Sequence, residues 1–406
     1  MFIYFLFIRL AALFGHRKAR LMVEGQKDIR LAMSDERLAA FKGAIWIHVS
    51  SVGEFEQARP LIERLNENGE RLKIVLTFFS PSGYELRKNY DKVDAVYYLP
   101  FATRRNAKRF LDALQPSKAI FVKYEFWPAY LRELKKRNIS TYNISAIFRE
   151  NQLFFRPWGK WYLNLLRCFT HIFVQDGPSR ALLAKHGITN VSITGDTRFD
   201  RVKAVMENGL GANNERLAPI PHFTAGCEQV IVAGSTWPKD EELLVRYLNE
   251  HPSTKLVLVP HEIDEEHLHF IFNLFQGRFV RYSRATQTSL IHANVLVIDT
   301  IGLLSSIYRF GQVAYIGGGF GVGIHNTIEA AVYGVPVIFG PNYLHFREAK
   351  GLIAAGGARS IRNYEELEAA LTTALEQHET IGAKSAEYVA SELGATEKIY
   401  KAIFDI

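Results

Sequence analysis

Residues 44–49, AIWIHV, run directly into Ser50, Ser51, Val52, Gly53 and Glu54. Small hydroxyl residues and a glycine at such a point leave backbone N–H groups open to a ligand, and they set Glu54 at the start of a helix. A carboxylate there can take a proton from an attacking hydroxyl, or it can simply complement the positive end of the helix. A weaker version of the pattern follows the next apolar run, as Ser80, Pro81, Ser82 and Gly83. A second carboxylate, Glu125, closes a further run among Tyr124, Phe126, Trp127 and Pro128. An apolar wall there raises its pKa, or a neighbouring cation pairs with it.

The richest segment is Tyr315, Ile316, Gly317, Gly318, Gly319, Phe320 and Gly321, followed by His325, Asn326, Thr327, Ile328 and Glu329. Strand, glycine cluster and helix start together form an anion site suited to a phosphate, with Glu329 one turn on to accept bonds from ribose hydroxyls. The spacing fits neither G-x-G-x-x-G in a first βα unit nor the P-loop G-x-x-x-x-G-K-[ST], which disfavours dinucleotide and ATPase readings.

Short β-rich runs alternating with helical patterns must position these residues, the sequence form of a doubly wound parallel sheet. The first series reads 44–49, 73–78, 95–100, 118–123, 140–145, 171–175 and 191–195, with amphipathic helices at 56–68 and 129–138 between them. The second reads 229–235, 255–260, 278–283, 294–299, 312–318 and 335–340. Residues 207–228 have turn formers and little periodicity, so they are expected to link a domain over 21–206 to one over 229–406. Two tandem Rossmann-like α/β domains facing across a cleft place ligands beyond the carboxyl ends of the strands.

A chain of 406 residues is longer than one core supports. With 48% hydrophobic and 22% charged residues it is neither disordered nor a polytopic membrane protein. Cys168 and Cys227 lack metal-ligand spacing and are expected as buried small hydrophobes. The net charge of +7 divides into +13 over residues 1–200 and −6 over 201–406. The excess peaks at 101–150, with 11 cations against 4 acids, among them Arg104, Arg105, Lys108, Arg109, Lys135, Lys136 and Arg137. An acidic second half argues against nucleic acid and for a polyanion meeting the first domain alone. Residues 1–14 are apolar except for Arg9 and lead into His16, Arg17, Lys18 and Arg20. As a helix they reach about 21 Å, short of the roughly 30 Å hydrocarbon core. The expectation is a helix over residues 1–20 lying on a membrane surface, on the cytoplasmic face of the inner membrane, with a helix packed on the protein itself as the alternative.

The run HNTIEAAVYGVPVI at 325–338 resembles the donor-binding segment of GT-B glycosyltransferases. The narrower resemblance is to 3-deoxy-D-manno-octulosonic acid (Kdo) transferases, through WIHVSSVGE at 46–54, EFWP at 125–128, GDTRFD at 195–200 and the block 312–348. It implies inverting transfer of Kdo from CMP-Kdo to a phosphorylated lipid A precursor (lipid IVA) during lipopolysaccharide biosynthesis. It also implies that Glu54 is the general base, that Glu125 is a second important carboxylate, and that Ser50, Ser51, Gly53, Ser82 and Gly83 lie on the acceptor side. Ser235, Thr236, Pro260, His261, Gly317, Gly318, Gly319, Asn326 and Glu329 fall on the donor side. The sequence departs from the family at Pro260, His261 and Glu262, where Pro-Arg-His is usual, and at Gly319, where serine is common.

The expected mechanism has Glu54 deprotonate the acceptor while a helix N-terminus near Asn326 stabilises the departing CMP phosphate, with no metal and no cofactor. The rival readings are another GT-B transferase, a sugar-nucleotide epimerase, or a non-catalytic membrane-surface binder of glycolipid.

Overall fold

The structure, a computed structural model, describes residues 2–67, 72–211, 215–276 and 279–404. Side chains are described except at 2–6, 160, 210 and 211. Residue 68 of one expected helix, 278 of one expected strand, 212–214 of the expected linker, and the first residue of the expected surface helix lie outside the described residues.

The chain forms two units, one spanning Met1–Arg201 and Leu393–Ile406, the other Val202–Glu392. In the first, β1 (Ile45–Val49), β2 (Ile74–Phe78), β3 (Ala95–Tyr98), β4 (Lys118–Val122), β5 (Ser140–Ala146), β6 (His171–Val174) and β7 (Val191–Ile193) form one sheet, ordered β3-β2-β1-β4-β5-β6-β7. Every pairing is parallel, with Ile47 of β1 in register with Leu76 on one side and Ile120 on the other. All five residues of β1 and of β2 are buried, which is why these strands read as continuous apolar runs without alternation.

The second sheet contains β8 (Val230–Thr236), β9 (Lys255–Pro260), β10 (Phe279–Arg281), β11 (Val295–Val297), β12 (Val313–Ile316), β13 (Val337–Phe339) and β14 (Ala358–Ser360), ordered β10-β11-β9-β8-β12-β13-β14. The strand β14 has no counterpart in the sequence reading, because three half-exposed edge residues carry no apolar pattern. In both sheets the order reverses at the first strand, between β1 and β4 and between β8 and β12. Ligand crevices form beyond strand ends at such reversals. Residues 50–54 and 123–127 flank the first, and Ser235, Thr236 and Gly317–Gly319 flank the second.

Two expectations on domain limits are corrected. Much of the expected linker is helical, within Thr197–Gly211 and Pro219–Thr224, because Ile220 and Phe223 are buried. The end of the expected second domain returns to the first unit as the helix Ala395–Phe404. Asp200 accepts from Gly394 N–H (2.7 Å), Thr396 N–H (2.7 Å) and the Thr396 hydroxyl (2.6 Å), and Ile399, Tyr400 and Ile403 bury in the first unit's core.

The expected surface helix is two helices, α1 (Phe2–Leu13) and α2 (Arg17–Ala32). The second is anchored by Gln26, whose amide donates to Leu99 O (2.8 Å) and accepts from Phe101 N–H (3.0 Å). By contrast, α1 leaves Phe7, Leu10 and Leu13 exposed, and Phe14 follows. Among the described residues no helix is long and apolar enough to cross a membrane. Cys168 and Cys227 are free thiols and half-buried, short of the full burial expected.

Candidate functional site

In the first unit, helix α3 (Val52–Asn66) starts where β1 ends, and Ser51 is its N-cap. Ser51 donates to Glu54 Oε2 through both its N–H (2.7 Å) and its hydroxyl (2.6 Å), while Glu54 N–H returns a weaker bond to Ser51 Oγ (3.4 Å). This is a capping box, so the helix-complementing role anticipated for Glu54 is real. It consumes one carboxylate oxygen. Oε1 accepts no bond among the described residues, which leaves it free to take a proton.

The turn after β2 stands against this one. Ser80 N–H donates to Ser50 O (2.8 Å), and the Ser80 and Ser82 hydroxyls lie 2.9 Å apart on the opening of helix α4 (Pro81–Arg87). A Cβ on Gly83 would come within 2.8 Å of the Phe78 ring and 3.5 Å of the Ser51 backbone, so the absent side chain lets the two turns approach.

Glu125 follows β4 and is buried. Its Oε2 accepts from Trp127 Nε1 (2.6 Å) and meets His48 Nε2 (3.2 Å). Burial opposes its charge, but His48, Ser50 and Trp127 outweigh burial and hold the carboxyl below its ordinary range. Neither fate expected from sequence applies, since no Lys or Arg among the described residues holds it and its pKa is not raised. His48 is itself fully buried, with Nδ1 against Thr77 O (3.1 Å) and Thr77 Oγ1 (2.9 Å). The end of β1 thus bears on both carboxylates, Ser51 bonding Glu54 directly and Ser50 favouring the charge of Glu125.

The GDTRFD segment packs beside α3. Gln57 Nε2 donates to Asp196 Oδ1 (3.0 Å), the Thr197 hydroxyl to Gln57 O (2.6 Å), and Arg198 pairs with Asp196 (2.8 Å). Burial disfavours the Asp196 charge, yet Arg198 and Gln57 lower its pKa.

In the second unit the glycine cluster is built around a residue that sequence reasoning missed. Asp240, fully buried, accepts from Gly318 N–H (2.9 Å), Trp237 N–H (3.0 Å) and the Tyr315 hydroxyl (2.8 Å). Gly318 has φ +87°, a region that penalises any Cβ. A Cβ at Gly319 would fall 2.5 Å from Gly340 Cα, so serine does not fit there without a backbone shift. The backbone N–H groups of Gly319 and Phe320 have no partner among the described residues and remain available to an anion.

The helix expected near Asn326 is a single turn, Ile328–Ala331, too short for a substantial dipole, so the expected helix-terminus stabilisation of phosphate is corrected. Asn326 donates to Glu329 Oε1 (2.8 Å) and accepts from Ile328 N–H (3.3 Å). Thr236 is fully buried with its hydroxyl on Glu241 (2.8 Å), which also meets His267 (3.0 Å). Ser235 is half-buried in the left-handed region at φ +54°, where a non-glycine residue is strained. At Pro260-His261, where the family arginine is absent, His261 stacks on Trp237 (4.8 Å) and lies 4.4 Å from His325 between ring centroids. Trp237 Nε1 donates to His325 Nε2 (3.5 Å), and burial, with His261 adding to it, lowers the pKa of His325.

His48, Trp237 and Asp240 are therefore part of these two sites although no role was assigned to them from sequence, and His325, which opens the segment read as donor-binding, joins them. His48 lies within a run read as plain strand, and Asp240 reads as an ordinary first-turn acid of a surface helix. Only contacts across the sheet distinguish them.

Residues 19–201 match the family model described as 3-Deoxy-D-manno-octulosonic-acid transferase (kdotransferase). The chain is 26% identical over 350 residues to the 3-deoxy-D-manno-octulosonic acid transferase of Aquifex aeolicus, covering 84% of this chain and 88% of that protein. To the enzyme of the same name from Haemophilus influenzae it is 27% identical over 376 residues, 87% of this chain and 85% of that one. Among solved structures, UDP-GlcNAc 2-epimerase from Neisseria meningitidis bound to UDP-GlcNAc superposes with a TM-score of 0.66 at 15% identity, over 89% of this chain and 100% of that one. That likeness shows the fold alone, two tandem Rossmann-like α/β units of GT-B type. The family match lies within the first unit, and the likeness to curated Kdo transferases runs through both.

Proposed function

We propose that this protein transfers Kdo from CMP-Kdo to a phosphorylated lipid A precursor, inverting the anomeric centre. The observation that carries this reading is Glu54, placed at a sheet reversal with one oxygen pinned by Ser51 and the other without a partner among the described residues. A carboxylate oriented in this way is suited to remove a proton from the acceptor hydroxyl as it attacks. CMP is already a good leaving group, so the second unit has only to bind the nucleotide and stabilise phosphate charge. The N–H groups of Gly319 and Phe320, without partners among the described residues, support that role, in the manner of other backbone anion sites. Asn326 and Glu329 are suited to the ribose. Glu125 belongs to the acceptor side as a fixed negative charge.

The exposed apolar side chains of α1, with Arg17, Lys18 and Arg20 after them, support peripheral association with an anionic membrane surface, the inner leaflet in this reading. Incubation with CMP-Kdo and a tetraacyl lipid A precursor tests the function. CMP release with a glycolipid gaining Kdo mass supports transfer. Glycolipid binding without CMP release would overturn it in favour of an inert binder, and mass spectrometry of the product counts the Kdo residues added.

A further inference from the structure

A second feature of the first unit lies beside Glu125 and has no part in the mechanism above. A cavity of about 730 Å³ is lined by Tyr124, Glu125, Trp127 and Tyr162 and rimmed by Arg104, Arg132 and Lys136. Arg104 opens helix α5 (Arg104–Leu114). Arg132 and Lys136 are four residues apart on helix α6 (Pro128–Lys136), so they share one face. None of the three cations has a carboxylate partner among the described residues, and all are exposed.

The acids around the cavity are already engaged. Glu133 is paired with Arg137 (2.8 Å), and Glu125 is held by His48 and Trp127. The cavity therefore presents three cations with no carboxylate paired to them among the described residues, above an aromatic floor that also holds the Glu125 carboxylate. Its volume lies within the usual range for a small-molecule site, roughly 300–1,000 Å³. The segment after it exposes Trp158 (69%) and Trp161 (52%), and the Trp161 ring lies 4.7 Å from that of Tyr162 on helix α7 (Lys160–Leu166). Exposed indoles of this kind favour a membrane–water interface, where an apolar body and a polar N–H are both satisfied.

We propose that this cavity binds a phosphorylated sugar of the glycolipid acceptor, with its phosphate monoester on Arg104, Arg132 and Lys136 and its ring against Tyr124, Trp127 and Tyr162. The inference rests on the reading that the acceptor is a phosphorylated glycolipid, and it assigns that acceptor's phosphate to named residues. An arginine pair and a lysine suit a phosphate monoester, which offers several acceptor oxygens to forked and point donors. Trp158 and Trp161 then lie at the headgroup level of the bilayer from which the acceptor is drawn.

The test compares kcat/KM on the phosphorylated acceptor with that on the same glycolipid after phosphatase treatment, for wild type and for the Arg132→Ala/Lys136→Ala double variant. Wild type should prefer the phosphorylated acceptor by roughly ten-fold or more, and the double variant should bring that ratio close to one. Arg132→Lys, which keeps the charge, should restore part of the preference. A ratio unchanged in the double variant, with melting temperature matching wild type, would overturn the proposal. Co-sedimentation distinguishes the acceptor's phosphate from the general membrane charge. On phosphatidylcholine vesicles carrying the phosphorylated glycolipid the double variant should lose binding, and on vesicles with one-fifth phosphatidylglycerol it should lose far less. Equal loss on both would assign the cations to bulk membrane charge and end the proposal. If wild type makes no product with either acceptor, the transfer reading fails, while co-sedimentation still decides the cavity.

Discussion

Ser51 donates both its backbone N–H and its hydroxyl to the same oxygen of Glu54, at 2.7 and 2.6 Å. The two bonds fix the carboxylate plane relative to the end of β1 and leave the other oxygen open. A helix cap and a general base are therefore not alternatives at this position, because the cap supplies the orientation that the base requires.

Glu54→Gln should reduce turnover by about 10²–10⁴-fold with little change in substrate binding, since the amide keeps the cap geometry but cannot accept the proton. Ser51→Ala should cost about 1 kcal/mol of stability through the lost cap and lower turnover by less than Glu54→Gln does. Steady-state kinetics with thermal melting separates the two effects. Near-normal turnover of Glu54→Gln would remove this residue from the mechanism.

The depressed pKa of Glu125 makes part of the protein's stability pH-dependent. A carboxyl group whose folded pKa lies below its unfolded value, about 4.3 for glutamate, stabilises the fold above that value. The contribution is lost as pH falls through the folded pKa. Glu125→Gln should therefore melt below wild type at neutral pH, and the gap should narrow as the buffer is taken below about pH 4. A gap independent of pH would show that Glu125 contributes through packing alone.

Asp240→Asn replaces an acceptor of three hydrogen bonds by a group that turns an N–H₂ toward at least one N–H or O–H donor. The expected cost is about 1–3 kcal/mol of stability, with weaker CMP binding by calorimetry as the Gly318 turn loosens. Unchanged CMP affinity in a correctly folded variant would separate the turn from the nucleotide.

Gly319→Ser, which introduces the residue common in the family, should destabilise the second unit by about 1–3 kcal/mol, because its Cβ would press on Gly340. Pairing it with a change at Gly340 cannot relieve the clash, since that position already has no side chain. A melting temperature equal to wild type would show that the backbone here gives way easily.

Much of the fold was legible in the sequence. Thirteen runs read as strands correspond to β1–β13, because parallel strands buried on both faces are apolar without interruption. The strand-end turns were legible for the same reason, as hydroxyls, glycines and carboxylates that interrupt those runs. The limits of the units were less so. Residues 207–228 lack a clear period because short helices packed on one side need only a few apolar contacts, and nothing local in GDTRFD announces that Asp200 caps a helix nearly two hundred residues later.

By itself, then, the sequence determined the tandem α/β architecture, the candidate carboxylates and the unequal charge of the two halves. Those properties depend on residue type and on neighbours a few positions away. Only the tertiary structure decided which oxygen of Glu54 Ser51 holds, that His48 and Trp127 hold Glu125, that Asp240 occupies the Gly318 N–H, and that Arg104, Arg132 and Lys136 line one cavity. Each of these depends on pairings across the sheets or between separate helices. Hydrogen bonds and charge pairs act over a few ångströms, and sequence distance says nothing about which groups folding will bring that close.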